Sequence, residues 1–143
     1  MNSQIRQAEE KEIDWINQRY AEVEFVPSCF HKEIIAIAEF EDQKAGLGRL
    51  ASLDSTHLEL GGIYVFEEFR NKGIAGQIIS FLLNHALPSQ TVYCIPFEPL
   101  IPFYQKHGFK PCLQLEQVPK ELLKKHRWCQ EKYPVPTSLL VRE

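Results

Sequence analysis

The chain has 143 residues, a formal net charge of −3, 44% apolar residues and 24% charged residues. This length and balance are those of one soluble globular domain, so we expect a single domain over residues 1–143. The net negative charge gives no electrostatic reason to expect nucleic-acid binding, and no apolar run reaches membrane-spanning length. We therefore expect neither a nucleic-acid partner nor a membrane partner.

The cysteines point to a reducing compartment. Cys29, Cys94, Cys112 and Cys129 are widely spaced and form no Cys-x-x-Cys pair. Such spacing fits neither a zinc motif nor a disulfide framework, and the polar first dozen residues do not form a secretory signal. We therefore expect reduced thiols, no metal and a cytoplasmic location.

The first third of the chain predicts a strand, a helix and a hairpin. Apolar spacing, β-branched runs and polar turn residues mark the boundaries of these elements. The predicted elements are a strand at 3–6, a helix at 8–20, a loop at 22–30, and paired strands at 34–40 and 45–53.

The stretch 58–86 predicts a strand, a charged turn and an amphipathic helix that begins near Ile74. Unpaired N–H groups at a helix start can hold a phosphate, and Gly73 and Ala75 leave room for an anion beside them. Arg70 and Lys72 add positive charge. Taken alone, the pattern equally describes an ordinary strand-to-helix turn with two surface cations.

The remaining chain alternates strands and short helices, an α/β order with a mixed sheet. The predicted elements are a strand at 91–95, a helix at 99–106 that Gly108 ends, a strand at 109–115, a helix at 119–133 and a strand at 138–142.

Two motifs resemble the GNAT superfamily of N-acetyltransferases. Arg70-x-x-Gly73-x-Ala75 after an apolar strand is similar to the family signature Arg/Gln-x-x-Gly-x-Gly/Ala. Residues 103–109, Phe-Tyr-Gln-Lys-His-Gly-Phe, are similar to a second family segment and lie in the expected order. The resemblance covers about residues 5–141. It implies one GNAT-like α/β domain, whose mixed, mostly antiparallel sheet splays at the central strands and is flanked by helices.

The resemblance also implies the reaction and its binding residues. It implies acetyl-CoA as co-substrate, a primary amine as acceptor, direct attack in a ternary complex and no metal. The implied cofactor-binding residues lie at the end of the central strand and in the turn after it: Ile63, Tyr64, Val65, Arg70, Asn71, Lys72, Gly73, Ile74 and Ala75.

Two side chains are candidates for proton chemistry. An attacking amine must be neutral, and a lysine-like amine has a pKa of about 10.4, so a base is needed. Strand alternation puts Glu59 on the face of Ile63 and Val65, and some family members use a glutamate near this position. His57 or a water chain is the alternative base, and Glu59 could be purely structural. Tyr104 matches the family tyrosine that stabilises or protonates the CoA thiolate; its alternative role is packing.

Phe97 departs from the family pattern. Many members carry an asparagine there that contacts the pantetheine amides, so this contact is either lost or replaced by packing.

The acceptor is less constrained by the sequence. The inserted helix at 119–133 loosely resembles N-acetylglutamate synthases, which favours a small amino-acid-like amine. Arg49 could pair with an acceptor carboxylate, or be a surface residue with a local carboxylate partner.

Two other functions stay open: a non-catalytic acyl-CoA sensor, and acetylation of a protein N-terminus or lysine. The loop at 22–30 and the inserted helix suggest a confined acceptor site, which disfavours protein substrates. A homodimer is also left open.

Overall fold

The computed structural model describes residues 3–143. Its backbone contacts divide the chain into two compact units. The first unit comprises Met1–Ser52 and Leu60–Ala86, and the second comprises Leu53–Glu59 and Leu87–Glu143. The expectation of one domain over the whole chain stays a prediction.

Within residues 3–143 the fold consists of seven strands and four α-helices. They are β1 (Ser3–Gln7), α1 (Ile13–Glu22), β2 (Glu33–Phe40), β3 (Gln43–Ser52), β4 (His57–Val65), α2 (Ile74–Leu83), β5 (Thr91–Cys94), α3 (Ile101–Gln105), β6 (Lys110–Pro111), α4 (Lys120–Lys132) and β7 (Leu140–Arg142).

The strands form one sheet in the order β1-β2-β3-β4-β5-β7-β6. β4 and β5 run parallel, whereas β1–β2, β2–β3, β5–β7 and β6–β7 are antiparallel. The predicted α/β fold with a mixed, mostly antiparallel sheet is therefore confirmed. The parallel register covers only His57–Glu59 against Thr91–Tyr93, a short pairing of the kind that splayed central strands make.

Each unit has its own apolar core. In the first unit, α1 packs on β2 and β3, and the buried residues include Ile16, Tyr20, Ile35, Ile37 and Leu47. In the second unit, α4 packs near β5 and β7 through Tyr93, Val118, Leu122, Leu139 and Val141. The buried residues of α1 are Ile16 and Tyr20, four positions apart and therefore on one face of the helix.

Two predicted elements differ from the structure. The predicted strand 109–115 is wrong in extent: β6 covers only Lys110–Pro111, and Leu113 beyond it is 87% exposed. Pro111 has no N–H to continue a ladder, which explains the short strand. The first helix begins at Ile13 rather than residue 8, after a 3₁₀ turn at Glu10–Glu12. Within residues 3–143, no helix is long and apolar enough to cross a membrane.

Candidate functional site

The turn that leads into α2 has the backbone of an open anion site. Gly73 is the N-cap residue of α2, with φ 77° and ψ 11°. This left-handed conformation favours glycine. No side chain caps the helix, and no atom lies within 4 Å of the position that a Cβ on Gly73 would take.

The N–H groups of this turn are unpaired. Those of residues 71–76 donate no hydrogen bond to any other residue within 3–143, and the first helical bond runs from Gln77 N to Gly73 O at 3.3 Å. Free N–H groups at a helix start carry the positive end of the helix dipole. The turn can therefore donate several hydrogen bonds to one anion.

The two predicted cations have separate roles in this turn. Arg70 Nε donates to the carbonyl oxygen of Val65 at 3.2 Å, which ties the turn to the end of β4. Lys72 Nζ lies 5.1 Å from the ring centre of Phe40. The structure thus brings Val65 and Arg70 together, as members of one cofactor site would require.

The end of β4 carries the other predicted cofactor residues. The Tyr64 hydroxyl donates to Glu22 Oε1 at 3.1 Å, and the Tyr64 ring lies 5.0 Å from that of Phe66. A Cβ on Gly48 would overlap with Ile78 Cγ2 and lie 2.9 Å from Ile63 Cδ1, so glycine there lets both side chains pack closely on β3. These contacts fix the backbone and the rings at the strand end.

Glu59 is a buried carboxylate with a partner that sequence reasoning missed. It is 8% exposed, and its Oε2 accepts a hydrogen bond from Lys125 Nζ at 2.7 Å. The pair is separated by 66 positions in sequence, and α4 reads only as an amphipathic helix rich in lysine. No sequence signal distinguishes Lys125 from its neighbours on that helix.

Two buried thiols, Cys94 and Cys129, lie close enough to Glu59 to respond to its charge. Burial raises the pKa of Cys94, and the Glu59 carboxylate raises it further. Burial also raises the pKa of Cys129, and here Lys125 opposes the shift while Glu59 adds to it. Both cysteines are thus protonated at neutral pH, and neither is a ready nucleophile.

Tyr104 is buried in α3 among aromatic rings. Its ring makes edge contacts with Phe103 at 5.4 Å and with Phe109 at 6.0 Å. Burial raises the pKa of its phenol, and the nearby Cys94 adds to that shift. The hydroxyl therefore keeps its proton at neutral pH and can donate a hydrogen bond.

His57 is held by the turn that precedes β4. Its Nδ1 lies 2.8 Å from Asp54 Oδ1, and its ring stacks on Tyr93 with centroids 6.0 Å apart. The backbone N–H of Thr56, and then His57 itself, lower the pKa of Asp54 to about 2. One ring nitrogen of His57 is therefore already engaged, which weakens its case as an alternative base.

Arg49 is buried rather than exposed. It is 9% exposed, and its Nη1 donates to Val26 O at 2.8 Å and to Ser28 Oγ at 2.5 Å. Within residues 3–143 it forms no ion pair with a carboxylate, so the expectation of a surface arginine with a local carboxylate partner is wrong.

Comparison of sequences decides the family. The family profile described as "Acetyltransferase (GNAT) domain" matches residues 31–111, more than half of the chain. The chain belongs to the GNAT acetyltransferases. A comparison of this GNAT sequence with curated proteins gave no significant match.

Solved structures share the GNAT fold with low sequence identity. A GNAT family acetyltransferase from Elizabethkingia anophelis, with acetyl-CoA bound, has a TM-score of 0.69 and 17% identity over 99% of this chain and 98% of its own. Naa50 from Arabidopsis thaliana, in complex with the bisubstrate analogue CoA-Ac-MVNAL, has a TM-score of 0.73 and 13% identity over 100% of this chain and 99% of its own.

A third similar structure is a much longer protein. N-acetylglutamate synthase from Neisseria gonorrhoeae, complexed with coenzyme A and L-arginine, has a TM-score of 0.74 and 14% identity over 99% of this chain. This GNAT chain covers only 33% of the synthase chain, so the similarity concerns one part of that protein.

Phe97 has a packing role in this GNAT protein. Its backbone bridges to Thr137, with Glu98 N donating to Pro136 O at 2.9 Å and Ser138 N donating to Pro96 O at 3.0 Å. Its ring meets that of Tyr133 edge-on at 5.3 Å. The Phe97 side chain thus packs against Tyr133 within the second unit.

The described residues also bear on metal chemistry. Within 3–143, no three His, Cys, Asp or Glu side chains are grouped as a metal site would need.

Proposed function

We propose that this GNAT protein is an acetyl-CoA-dependent N-acetyltransferase whose acceptor is the primary amine of a small, amino-acid-like molecule. The observation that carries the proposal is the uncapped start of α2, where the N–H groups of residues 71–76 are free of partners within 3–143. A diphosphate needs such an array of donors, and Arg70 and Lys72 add charge beside it.

The co-substrate is supported by similar proteins of the same fold. The structures described above were solved with acetyl-CoA, with coenzyme A or with a CoA-containing bisubstrate analogue. In this chain, the Arg70–Ala75 turn is the proposed diphosphate site. Ile63, Tyr64 and Val65 are the proposed contacts to the pantetheine arm.

The proposed reaction is direct transfer. The neutral amine attacks the thioester carbonyl carbon, the C–S bond breaks, and coenzyme A departs as a thiolate. The amine loses a proton, for which Glu59 is the proposed acceptor. Lys125 Nζ lies 2.7 Å from Glu59 Oε2 and holds the carboxylate in place.

Tyr104 is the proposed donor to the departing sulfur. A free thiol has a pKa of about 8.5 and a free phenol about 10, and burial raises the pKa of Tyr104 further. Full proton transfer to the thiolate is therefore uphill. We therefore propose a hydrogen bond from the Tyr104 hydroxyl to the thiolate, with solvent as the final proton source.

A second candidate acceptor is a protein N-terminus. The similarity to Naa50 favours this acceptor. The match extends over both chains, and the Naa50 complex contains the bisubstrate analogue CoA-Ac-MVNAL. Naa50 and the synthase match this fold about equally well, so fold similarity does not choose between the acceptors.

The deciding experiment is an acceptor screen that measures release of free thiol from acetyl-CoA. The panel holds free amino acids, peptides with free N-termini and N-terminally blocked lysine peptides. We expect release with free amino acids, and none with the Gly73→Glu variant, whose carboxylate would occupy the diphosphate site. Release with peptides alone would establish the second candidate. Tight binding of acetyl-CoA without release on any amine would overturn the enzyme proposal in favour of a sensor.

A further inference from the structure

The guanidinium of Arg49 occupies a neutral, buried setting in the first unit. Nη1 is held by Val26 O and Ser28 Oγ, and the centre of the group lies 4.4 Å from the ring centre of Tyr20. A carbonyl, a hydroxyl and an aromatic face each orient the cation, and none of them neutralises it. Arginine almost always meets a counter-charge when it is buried this deeply.

Glu33 is the acidic residue that shares these surroundings. It lies two positions from Ile35, which pairs with Arg49 across β2 and β3. Burial raises the pKa of the Tyr20 phenol. The positive charge of Arg49 opposes this shift, and the negative charge of Glu33 adds to it. Yet Glu33 Oε1 is buried without a hydrogen-bond partner among residues 3–143, so Glu33 and Arg49 do not satisfy each other.

The loop that holds Arg49 is itself fixed. Asn17 Oδ1 accepts from Ser28 N at 2.7 Å, and Asn17 Nδ2 donates to Ser28 O at 3.3 Å. Ser28 is therefore positioned by α1 independently of the arginine. A guanidinium held this way is oriented before any ligand arrives, which lowers the entropy cost of binding.

One edge of the Arg49 guanidinium has no hydrogen-bond partner among residues 3–143. Both hydrogen bonds of Arg49 to residues 3–143 come from Nη1, so Nε and Nη2 keep N–H groups for another acceptor. Nε and Nη2 form the side of the fork that matches the two oxygens of a carboxylate.

Gly62 packs directly against that edge. It adopts a left-handed φ of 61°, and its carbonyl accepts from the Tyr20 hydroxyl at 2.8 Å. A Cβ at this position would lie 2.7 Å from Arg49 Nε. Gly62 directly precedes Ile63, so this edge of Arg49 adjoins the strand that is proposed to bind the donor.

We propose that Arg49 binds the carboxylate of the acceptor through Nε and Nη2, which makes the substrates carboxylate-bearing primary amines such as free amino acids. The inference rests on the proposed function. It assigns Arg49 as the residue that distinguishes an amino acid from its amide or from a peptide N-terminus.

The test compares glycine, L-alanine, L-methionine and L-glutamate with their α-carboxamides as acceptors. We expect kcat/KM to favour the acids by about 10²-fold, since charge-assisted bidentate bonds are lost with the amides. Arg49→Gln should remove this preference mainly through KM on the acids, and should change the rates on amides little. Arg49→Lys keeps the charge without the fork and should recover only part of the preference.

Two variants separate binding from loop support. Ser28→Ala loses the loop hydrogen bond but keeps the guanidinium, so the acid preference should persist. Glu33→Gln should leave the preference unchanged or increase it. Equal parent rates on acids and amides would overturn the proposal, as would an equal loss on both acceptors in folded Arg49→Gln.

Product binding keeps the proposal separate from the enzyme assignment. Calorimetry with the N-acetyl amino acids and their amides, in the presence of coenzyme A, needs no turnover. Arg49-dependent binding of the acids, without acetylation of any amine, would support the carboxylate site and count against the proposed activity. Equal binding of the acids and amides to the parent protein would count against the carboxylate site itself.

Discussion

Lys125 Nζ lies 2.7 Å from Glu59 Oε2, so α4 supplies the counter-ion of the candidate base. The Glu59 side chain is 10% exposed and that of Lys125 is 40% exposed. A carboxylate this buried is costly to leave unpaired. The inserted helix that distinguishes the C-terminal part of the chain therefore supports the one carboxylate on which the proposed mechanism depends.

Replacement of Glu59 tests the base. Glu59→Gln should lower the turnover rate by roughly 10²–10⁴-fold near neutral pH, because the amide cannot accept the proton. At high pH the acceptor amine is already neutral, so the deficit should shrink. The measurement is a pH–rate profile of both proteins at saturating acetyl-CoA. Profiles of the same shape and height would remove Glu59 from the mechanism and return the role to His57 or water.

Replacement of Lys125 tests its support of Glu59. Lys125→Met leaves the carboxylate unpaired and should cost about 1–2 kcal/mol in the free energy of unfolding, less than for a fully buried pair because the ammonium is partly exposed. The pH dependence of turnover should also shift. Lys125→Arg keeps the charge and serves as the matched control. Urea unfolding and pH–rate profiles measure the two effects, and a Met variant with parental values in both would show the ion pair to be incidental.

Two substitutions of Gly73 separate charge from backbone strain. Gly73→Ala should cost about 1–2 kcal/mol of stability, because an alanine must adopt the left-handed φ of 77°. It should still bind acetyl-CoA, since the space around a Cβ there is open. Gly73→Glu should abolish binding. Calorimetric titration with acetyl-CoA and with CoA checks this, and undiminished binding by the Glu variant would place the diphosphate elsewhere.

Tyr104→Phe removes one hydroxyl and little volume. Turnover should fall roughly 10-fold to 10³-fold if the hydroxyl stabilises the departing thiolate, while acetyl-CoA affinity should stay near the parental value. Steady-state rates, together with circular dichroism to verify folding, make the comparison. Full activity in the folded variant would assign Tyr104 to packing against Phe103 and Phe109.

Buried tyrosines predict a loss of stability in alkali. The pKa values of Tyr20 and Tyr104 are raised by burial, so these phenols ionise in the unfolded chain before they do so in the folded protein. Their stabilisation is complete below about pH 10 and declines above it, by about 1 kcal/mol for each tyrosine at about pH 10.5. Urea unfolding at about pH 8 and at about pH 10.5 measures the decline, and Tyr104→Phe should reduce it by one tyrosine's share. An undiminished decline in that variant would show that Tyr104 ionises normally.

The sequence by itself determined the local features of this protein. Apolar periodicity located β4 and α2, and the Arg70–Ala75 motif located the turn between them, because these signals come from neighbours in the chain. The GNAT family also followed from two short motifs. The predicted helix start near Ile74 is confirmed, with Gly73 directly before it.

Tertiary structure alone decided which distant side chains meet. The Glu59–Lys125 pair and the Arg49 setting each join residues far apart in sequence, and amphipathic patterns do not specify partners. The sequence also could not show that the alternation of side chains is interrupted between Glu59 and Ile63. The interruption comes from Gly62, which leaves the extended conformation at φ 61°. Charge pairing, burial and pKa depend on through-space distances, which are set by the packing of the whole fold rather than by local propensity.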